Sequence, residues 1–455
     1  SLIIFIYIII SLPPTIDKYK VTLKSKEKTN KIYNTYYYDL NNDGFSEKIE
    51  VHKIENANLI GVIVFAKGGV INQWNIKGEV LNERSIFTGD INGDGILEIF
   101  ISSLYNKSIN LSCFNPFENK YYFKNKEISK YSKLNEKIDT DLQKCALYDL
   151  NNDSINEIYF SICTSFSKYP RGMYAYDSVK DSLYKSPFGY TLFENPFSFD
   201  IDSNGIPEFF GAPQAVGNSK IHDPYSDHFV WLMVLDEKMN FHFKPKKIGY
   251  FSSSTSCTPF ICNGKTSLAI FINYSGPKNI NSSIILFDSF GNKINEKAIE
   301  NGDIINPQLY STADYKNLYL ISDNGTIEEF DENLDVINSY KLPKYSYGKP
   351  SELELDNDGE NELIFTGKYD EHLVITKSDF SEPTIVNIFD IGIPYYFSLK
   401  KMGKNDSQLF VHGSKNTFLF KYETNILYKL KYVIFGGIFL MCFIVIYFIQ
   451  KVQKH

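Results

Sequence analysis

The chain reads as all-β, a seven- or eight-bladed β-propeller followed by a single C-terminal transmembrane helix. Three observations carry this reading. A motif recurs at a period near fifty residues, strand-type alternation punctuated by turn residues fills the chain up to about position 425, and one uncharged run of spanning length lies near the end. A length of 455 residues suits one large closed repeat structure whose core is shared among its units. The composition, 43% hydrophobic with aromatic residues supplied mainly by Tyr and Phe, is that of a folded protein and not of a disordered one. The net charge of -7 is spread along the chain without a basic block, which argues against a nucleic-acid surface.

From the N-terminus, Leu2 to Leu12 (LIIFIYIIISL) has the length of an export-signal core and gives way to Pro13 and Pro14. Residues 1–16 are read as a signal peptide that lacks its first residues, because the chain opens on Ser1 without a basic segment; a buried strand is the alternative. Residues 17–425 then form the extracytoplasmic propeller.

The repeat reads YYYDLNNDGFSEKIEV from Tyr36, FTGDINGDGILEIFI from Phe87, ALYDLNNDSINEIYFSI from Ala146, FSFDIDSNGIPEFFG from Phe197 and ELELDNDGENELIFTG from Glu352. The first acidic positions Asp39, Asp90, Asp149 and Asp200 are 51, 59 and 51 residues apart, the length of one four-stranded blade. Worn copies keep the apolar half alone: SLAIFI at Ser267 after Asn263-Gly264, NLYLIS at Asn317 before Asp323-Asn324-Gly325, and QLFVHG at Gln408 after Lys404-Asn405-Asp406. About eight units result. The last has room only for its inner strands, so Tyr19 to Lys24 (YKVTLK) is expected to supply its outer strand and close the ring, removing open sheet edges.

At the C-terminal end, Tyr432 to Ile449 is uncharged and of spanning length, giving a transmembrane helix over 430–450 and the start of a cytoplasmic segment at 451–455. The protein is thus expected to be anchored by a single span with its propeller outside the cytoplasm, in the periplasm or at the cell surface. Five cysteines lie in the exported part without a C-x-x-C pair. Cys257 and Cys262 are either a local disulfide or two reduced core residues.

The acidic loops have calcium chemistry. Calcium takes six or more hard oxygens, and alternate residues of a tight loop present them to one side. Positions 1, 3, 5, 7 (by its carbonyl) and 9 are Asp39, Asn41, Asp43, Phe45 and Glu47 in the first unit, and Asp90, Asn92, Asp94, Ile96 and Glu98 in the second. They are Asp149, Asn151, Asp153, Ile155 and Glu157 in the third, and Asp200, Asp202, Asn204, Ile206 and Glu208 in the fourth. The last clear loop carries Glu354, Asp356, Asp358, Glu360 and Glu362. Two departures, Ser154 for the turn glycine and Glu354 for the first Asp, predict weaker or empty sites. An EF-hand would need a bidentate Glu at position 12 and flanking helices, whereas position 12 is Ile101, Phe160, Gly211 and Phe365 in four units.

These residues resemble the FG-GAP repeats of integrin-α-like and VCBS-type propellers over roughly residues 33–425. The resemblance implies that structural Ca2+, at several sites, staples the blades without catalysis. Blade topology then puts the long second-to-third connections, Cys163 to Tyr174 and Ala212 to Phe229, on the face opposite the acidic loops. They carry Tyr169, Arg171, His222, Asp223, Tyr225, Asp227 and His228 as candidate ligand contacts, with Arg171 and Tyr225 foremost. No nucleophile elbow, phosphate-binding glycine loop or zinc-hydrolase helix occurs.

The function that follows is a non-enzymatic sensor ectodomain for an extracellular protein, peptide or glycan ligand, similar to bacterial membrane sensor kinases. A cell-surface adhesion protein of integrin-α-like type and a carbohydrate-active lyase are the alternatives.

Overall fold

The computed structural model describes residues 17–452 apart from 30–32, 55–56, 83–84, 132–138, 165–168, 190–191, 252, 275–280, 300–307, 323, 344–345, 357, 368–371, 393 and 404–405. The expected leader, 1–16, and the last residues, 453–455, lie outside them.

Among the described residues, the regular elements before residue 425 are all strands, and they form a β-propeller. Among the described residues, seven sheets have four or five strands each, all antiparallel, and in five of them the strands neighbour one another in chain order throughout. An eighth sector, residues 192–250, is divided into two two-stranded pieces joined by the bridge Phe209–Leu235. Each acidic loop of the repeat connects the first and second strands of its sheet. In the third, for example, Thr140–Tyr148 leads into the loop and Glu157–Thr164 leaves it. Where the loop is worn, a short turn replaces it: Cys262 pairs with Lys265 across Asn263 (φ 51°) and Gly264 (φ 69°), a hairpin turn that needs left-handed residues at both central positions.

The second strands are the most apolar and the most buried; Glu157–Thr164 is buried at every residue. A single sheet cannot cover both of its faces, so the core lies between sheets. Each pair of consecutive sectors shares one apolar cluster. Phe100, Leu111, Phe160 and Ile162 join the second and third, and Phe260, Phe271, Leu318 and Phe330 join the fifth and sixth. The ring is completed where Tyr396 of the last sheet stacks on Tyr36 of the first, with centroids 5.0 Å apart at 11°.

The N-terminal strand β1 (Tyr19–Lys28) does add to the outside of the last sheet, whose order is β1, then Asn416–Thr424, Asp406–Gly413 and Pro394–Gly403. It reaches four residues beyond the Lys24 limit expected from the sequence, passing an irregularity between Leu23 and Ser25.

After Thr424 the chain turns into a short helix α1 (Ile426–Lys429), capped by the Asn425 side chain accepting from the Leu427 amide, and then α2 (Lys431–Val452). The described side chains of α2 are those of 432–447. Among the described residues no helix is long and apolar enough to cross a membrane. The expected span runs past them, since Phe448 and Ile449 lie outside that stretch.

The five cysteines before residue 425 are free thiols, which decides the question left open for Cys257 and Cys262. Both sit on the extended strand Ser253–Cys262, and five residues of strand separate their Cα atoms by about 16 Å, far beyond disulfide reach.

Candidate functional site

All five acidic loops are built by the same three hydrogen bonds. The position-2 amide donates to the position-9 glutamate: Leu40 to Glu47 (2.8 Å), Ile91 to Glu98 (2.9 Å), Leu150 to Glu157 (2.9 Å), Ile201 to Glu208 (2.9 Å) and Leu355 to Glu362 (2.8 Å). The position-6 amide donates to the first carboxylate, as from Gly95 to Asp90 and from Gly359 to Glu354. The position-7 amide donates to position 5, as from Ile96 to Asp94 and from Glu360 to Asp358. Position 6 is left-handed throughout, so glycine fits it; Ser154 takes the same conformation at φ 67°, and its amide still reaches Asp149 at 2.8 Å. Glu354 in place of Asp likewise preserves the pattern, its longer side chain still accepting from Gly359.

In three of the loops a buried carboxylate oxygen is left outside this hydrogen-bonding scheme. Asp39 Oδ1, Asp153 Oδ2 and Asp356 Oδ1 are buried and accept no hydrogen bond. Such oxygens are costly unless a cation meets them. The position-9 glutamates are deeply buried: Glu98 is 0% exposed, and burial, reinforced by Asp94 and Asp90, pushes its carboxyl up to about 7 despite the hydrogen bond from Ile91. Burial raises Glu47, Glu157 and Glu208 in the same direction. Burial is the largest cause in each case, and neighbouring loop carboxylates add to it.

Three groups place ligand atoms within 4.8 Å of one another: Asp153 with Glu157 and Asp177, Asp202 with Glu208 and His242, and Glu354 with Asp356 and Glu362. Asp177 and His242 escaped the sequence reading because they come from later strands or turns of the same sector. A faint signal existed, since Asn115 and Asp177 both end the third strand of an acidic-loop blade and both reach back toward the loop. Asn115 Nδ2 lies 3.5 Å from Glu98 and Asp177 receives Asn151 Nδ2 at 3.1 Å.

Lysines meet three of the loops. Lys401 lies 3.1 Å from Asp39 and Lys180 lies 4.0 Å from Asp153, and both are about half exposed. Lys18 is different: its side chain is 6% exposed and lies 3.1 Å from Asp356, 3.6 Å from Asp358 and 3.0 Å from Glu362. Burial alone would lower this ammonium, but hydrogen bonds to Glu362 and Asp356 outweigh it and hold Lys18 above the ordinary lysine range.

The first three acidic loops are neighbours on one face. Leu97 donates to the Leu40 carbonyl, Asn42 to that of Gly95, and Asn156 to those of Ile91 and Asp90. The two long connections of the third and fourth sectors are linked to each other by Arg171, which donates to Asp227 at 2.8 Å with both side chains 0% exposed. This corrects the expectation for Arg171, whose side chain is closed off from a ligand, whereas Tyr225 remains partly exposed. Arg171 is an internal strut: its second bond runs to the Thr164 carbonyl, while Asp227 also accepts from the Ser219 and Asn218 amides. Tyr225 packs its ring against Trp231 and Phe241, at 5.2 Å from each. Asp227 is fully committed, and Asp223 accepts from the Lys220 amide within its own turn. His228 hydrogen-bonds the Ser219 carbonyl at 2.9 Å. His222 and Tyr169 are exposed, the Tyr169 ring lying 5.9 Å from that of exposed Phe188, and Ile221, Tyr250 and Phe251 are exposed apolar residues too.

A separate cavity of about 410 Å³ is lined by first-strand residues of several sectors, among them Gln143, Lys144, Asn195, Cys257, Gln308 and Lys349. Lys144 donates to the Thr88 carbonyl there, and burial lowers its ammonium.

No family model and no curated protein matches the chain. Among solved structures, it is similar to Sqt1 of Saccharomyces cerevisiae, with 10% identity over 87% of this chain and 98% of that one and a TM-score of 0.51. The Dos1 propeller (10% identity, 89% and 95% covered, TM-score 0.48) and BamB of Moraxella catarrhalis (11%, 88% and 100%, 0.45) are more distant in shape. At such identities the likeness to Sqt1 speaks for the fold alone.

Proposed function

We propose that the chain is a calcium-stapled propeller of FG-GAP or VCBS type, held at a membrane by α2 outside the cytoplasm, that recognises an extracellular ligand and catalyses nothing. The observation that carries the calcium assignment is the buried carboxylate oxygens of Asp39 and Asp153 without donors, in loops that share one hydrogen-bonding design. Asp, Asn and Glu oxygens with one backbone carbonyl per loop are the hard donor set that calcium prefers. Bound there, the ion would neutralise crowded carboxylates and tie the first two strands of a blade together.

Support for anchoring comes from α2, where Tyr432, Val433, Leu440, Met441 and Phe443 are each more than half exposed. An apolar helix surface of that kind is stable only when something apolar covers it. The export reading rests on the Leu2 to Leu12 segment. For recognition, the reading is supported by exposed Tyr169, Ile221 and His222 on the two connections that the buried Arg171–Asp227 pair ties together, with exposed Phe188, Tyr250 and Phe251 elsewhere in the third and fourth sectors or just after them.

The test of the calcium assignment uses the full chain in detergent, dialysed against calcium and then against EDTA. Bound calcium is counted by elemental analysis, and the melting temperature is expected to fall in EDTA. A protein that carries no calcium and melts identically in both buffers overturns the assignment.

A further inference from the structure

Among the acidic loops, the seventh-sector loop Glu354–Glu362 is met by a lysine in a way no other described loop is. Lys18 immediately precedes β1, the strand that closes the ring, and its ammonium touches all three of Asp356, Asp358 and Glu362 while remaining almost wholly buried. The lysines at the first and third loops reach their carboxylates from half-exposed positions, Lys401 meeting, among the described residues, Asp39 alone and Lys180 meeting Asp177 at 3.1 Å and Asp153 at 4.0 Å. The next residue reinforces the contact: the Tyr19 hydroxyl donates to Glu362 and lies 3.2 Å from Asp356, while its amide lies 3.4 Å from Thr384 Oγ1 of the same sheet. The Lys18 carbonyl in turn accepts from the Asn425 amide at 2.8 Å, and Asn425 caps α1. The end of the propeller, the start of the C-terminal helices and the acidic loop therefore meet at one residue.

We propose that the Lys18 ammonium is the resident cation of the seventh-sector loop, so that this loop takes no divalent ion and instead latches the closing strand to the ring without metal. The proposal rests on the calcium reading of the other loops only for its ion count; the latch itself stands on the contacts above. The physical reason is geometric. A propeller whose last sheet borrows a strand from the other end of the chain depends on the pairing of that strand, here the 10-residue β1, and an ion pair buried beside its first residues resists fraying where it starts. The Lys18 ammonium hydrogen-bonds Glu362 and Asp356 and pairs with Asp358 at 3.6 Å, oxygens that would otherwise ligate calcium, and it is covalently present at every calcium concentration.

The test compares the wild-type full chain in detergent with Lys18→Met, which keeps the apolar stem, and Lys18→Arg, which keeps the charge. Hydrogen exchange of β1 is followed by mass spectrometry in EDTA, and bound ions are counted at saturating calcium. Lys18→Met is expected to lose at least about a hundredfold in β1 exchange protection, because it leaves buried carboxylates unpaired, and Lys18→Arg to keep most of it. In calcium, Lys18→Met is expected to bind one ion more than wild type and to regain protection. Unchanged β1 protection in Lys18→Met overturns the latch, and equal, non-zero ion counts overturn the resident-cation assignment. If neither protein binds any ion, the calcium reading of the other loops falls, and the exchange measurement in EDTA still decides the latch.

Discussion

Replacing Glu98 by Gln should change the sign of its effect with calcium. The Glu98 carboxyl is fully buried and accepts the Ile91 amide at 2.9 Å, a bond that a glutamine oxygen can keep. Burial and the neighbours Asp94 and Asp90 raise its pKa from 4.5 to about 7. A carboxyl whose folded pKa lies above its unfolded value destabilises the fold above the folded pKa, and the penalty fades as pH drops from 7 toward 4.5. Two and a half units correspond to about 3 kcal/mol as an upper bound, and roughly 1–2 kcal/mol after relaxation of neighbouring dipoles. In EDTA at pH 8, Glu98→Gln should therefore stabilise the protein by that smaller amount. In calcium the same change removes an anionic ligand, and the site's linkage stabilisation, about 2.7 kcal/mol at 100 times its dissociation constant, is lost. The assay is urea unfolding of wild type and variant in the two buffers, supported by melting curves. A variant equally destabilised in EDTA and in calcium would refute the reasoning, because Glu98 would then be acting only as a packing and hydrogen-bonding residue.

Other consequences are as direct. Glu360→Ala should barely change calcium affinity, since position 7 offers its backbone carbonyl and the Glu360 side chain is exposed, whereas Glu98→Ala should abolish one site; equal effects in a calcium titration would show the register to be wrong. Ser154→Gly should stabilise by roughly 0.5–1 kcal/mol by relieving a left-handed residue, and a destabilisation in urea unfolding would contradict this. Arg171→Met should cost about 3–5 kcal/mol, because it strands Asp227 in the interior; a loss below 1 kcal/mol would contradict the assignment of the pair as a strut. His412 is 1% exposed and stacked on Tyr396, and burial lowers its pKa from 6.5 to about 4. The unfolded chain takes up its proton first, so stability should fall as pH drops from 6.5 to 4, by roughly 2 kcal/mol. His412→Phe should flatten that part of the pH profile, which urea midpoints measured at pH 4, 5 and 6.5 would reveal.

The sheets and their order were legible from the sequence because strand periodicity and turn chemistry are local properties. The alternation of Gly61 to Ile76 around Lys67-Gly68 gave a hairpin, and the five D-x-[DN] loops marked the joint between first and second strands wherever they occurred. The worn copies at Ser267, Asn317 and Gln408 are second strands as their apolar runs implied. Even the closing strand could be anticipated, because a last sheet short of one strand leaves an edge that some segment must cover.

What the sequence could not determine were the partners of charges far apart in the chain. Arg171 has the residue type of a binding surface, but whether a side chain on a long loop faces water depends on the neighbouring loop, and here Asp227 draws it inward, while Tyr225 stays partly exposed against Trp231. Asp177 and His242 join acidic groups only because the third and fourth strands of a blade return beside its first loop. Lys18 meets Glu362 across 344 positions of chain, a contact that exists only once the ring has closed. Local periodicity fixes which residues form strands; only closure of the ring decides which charges those strands bring together.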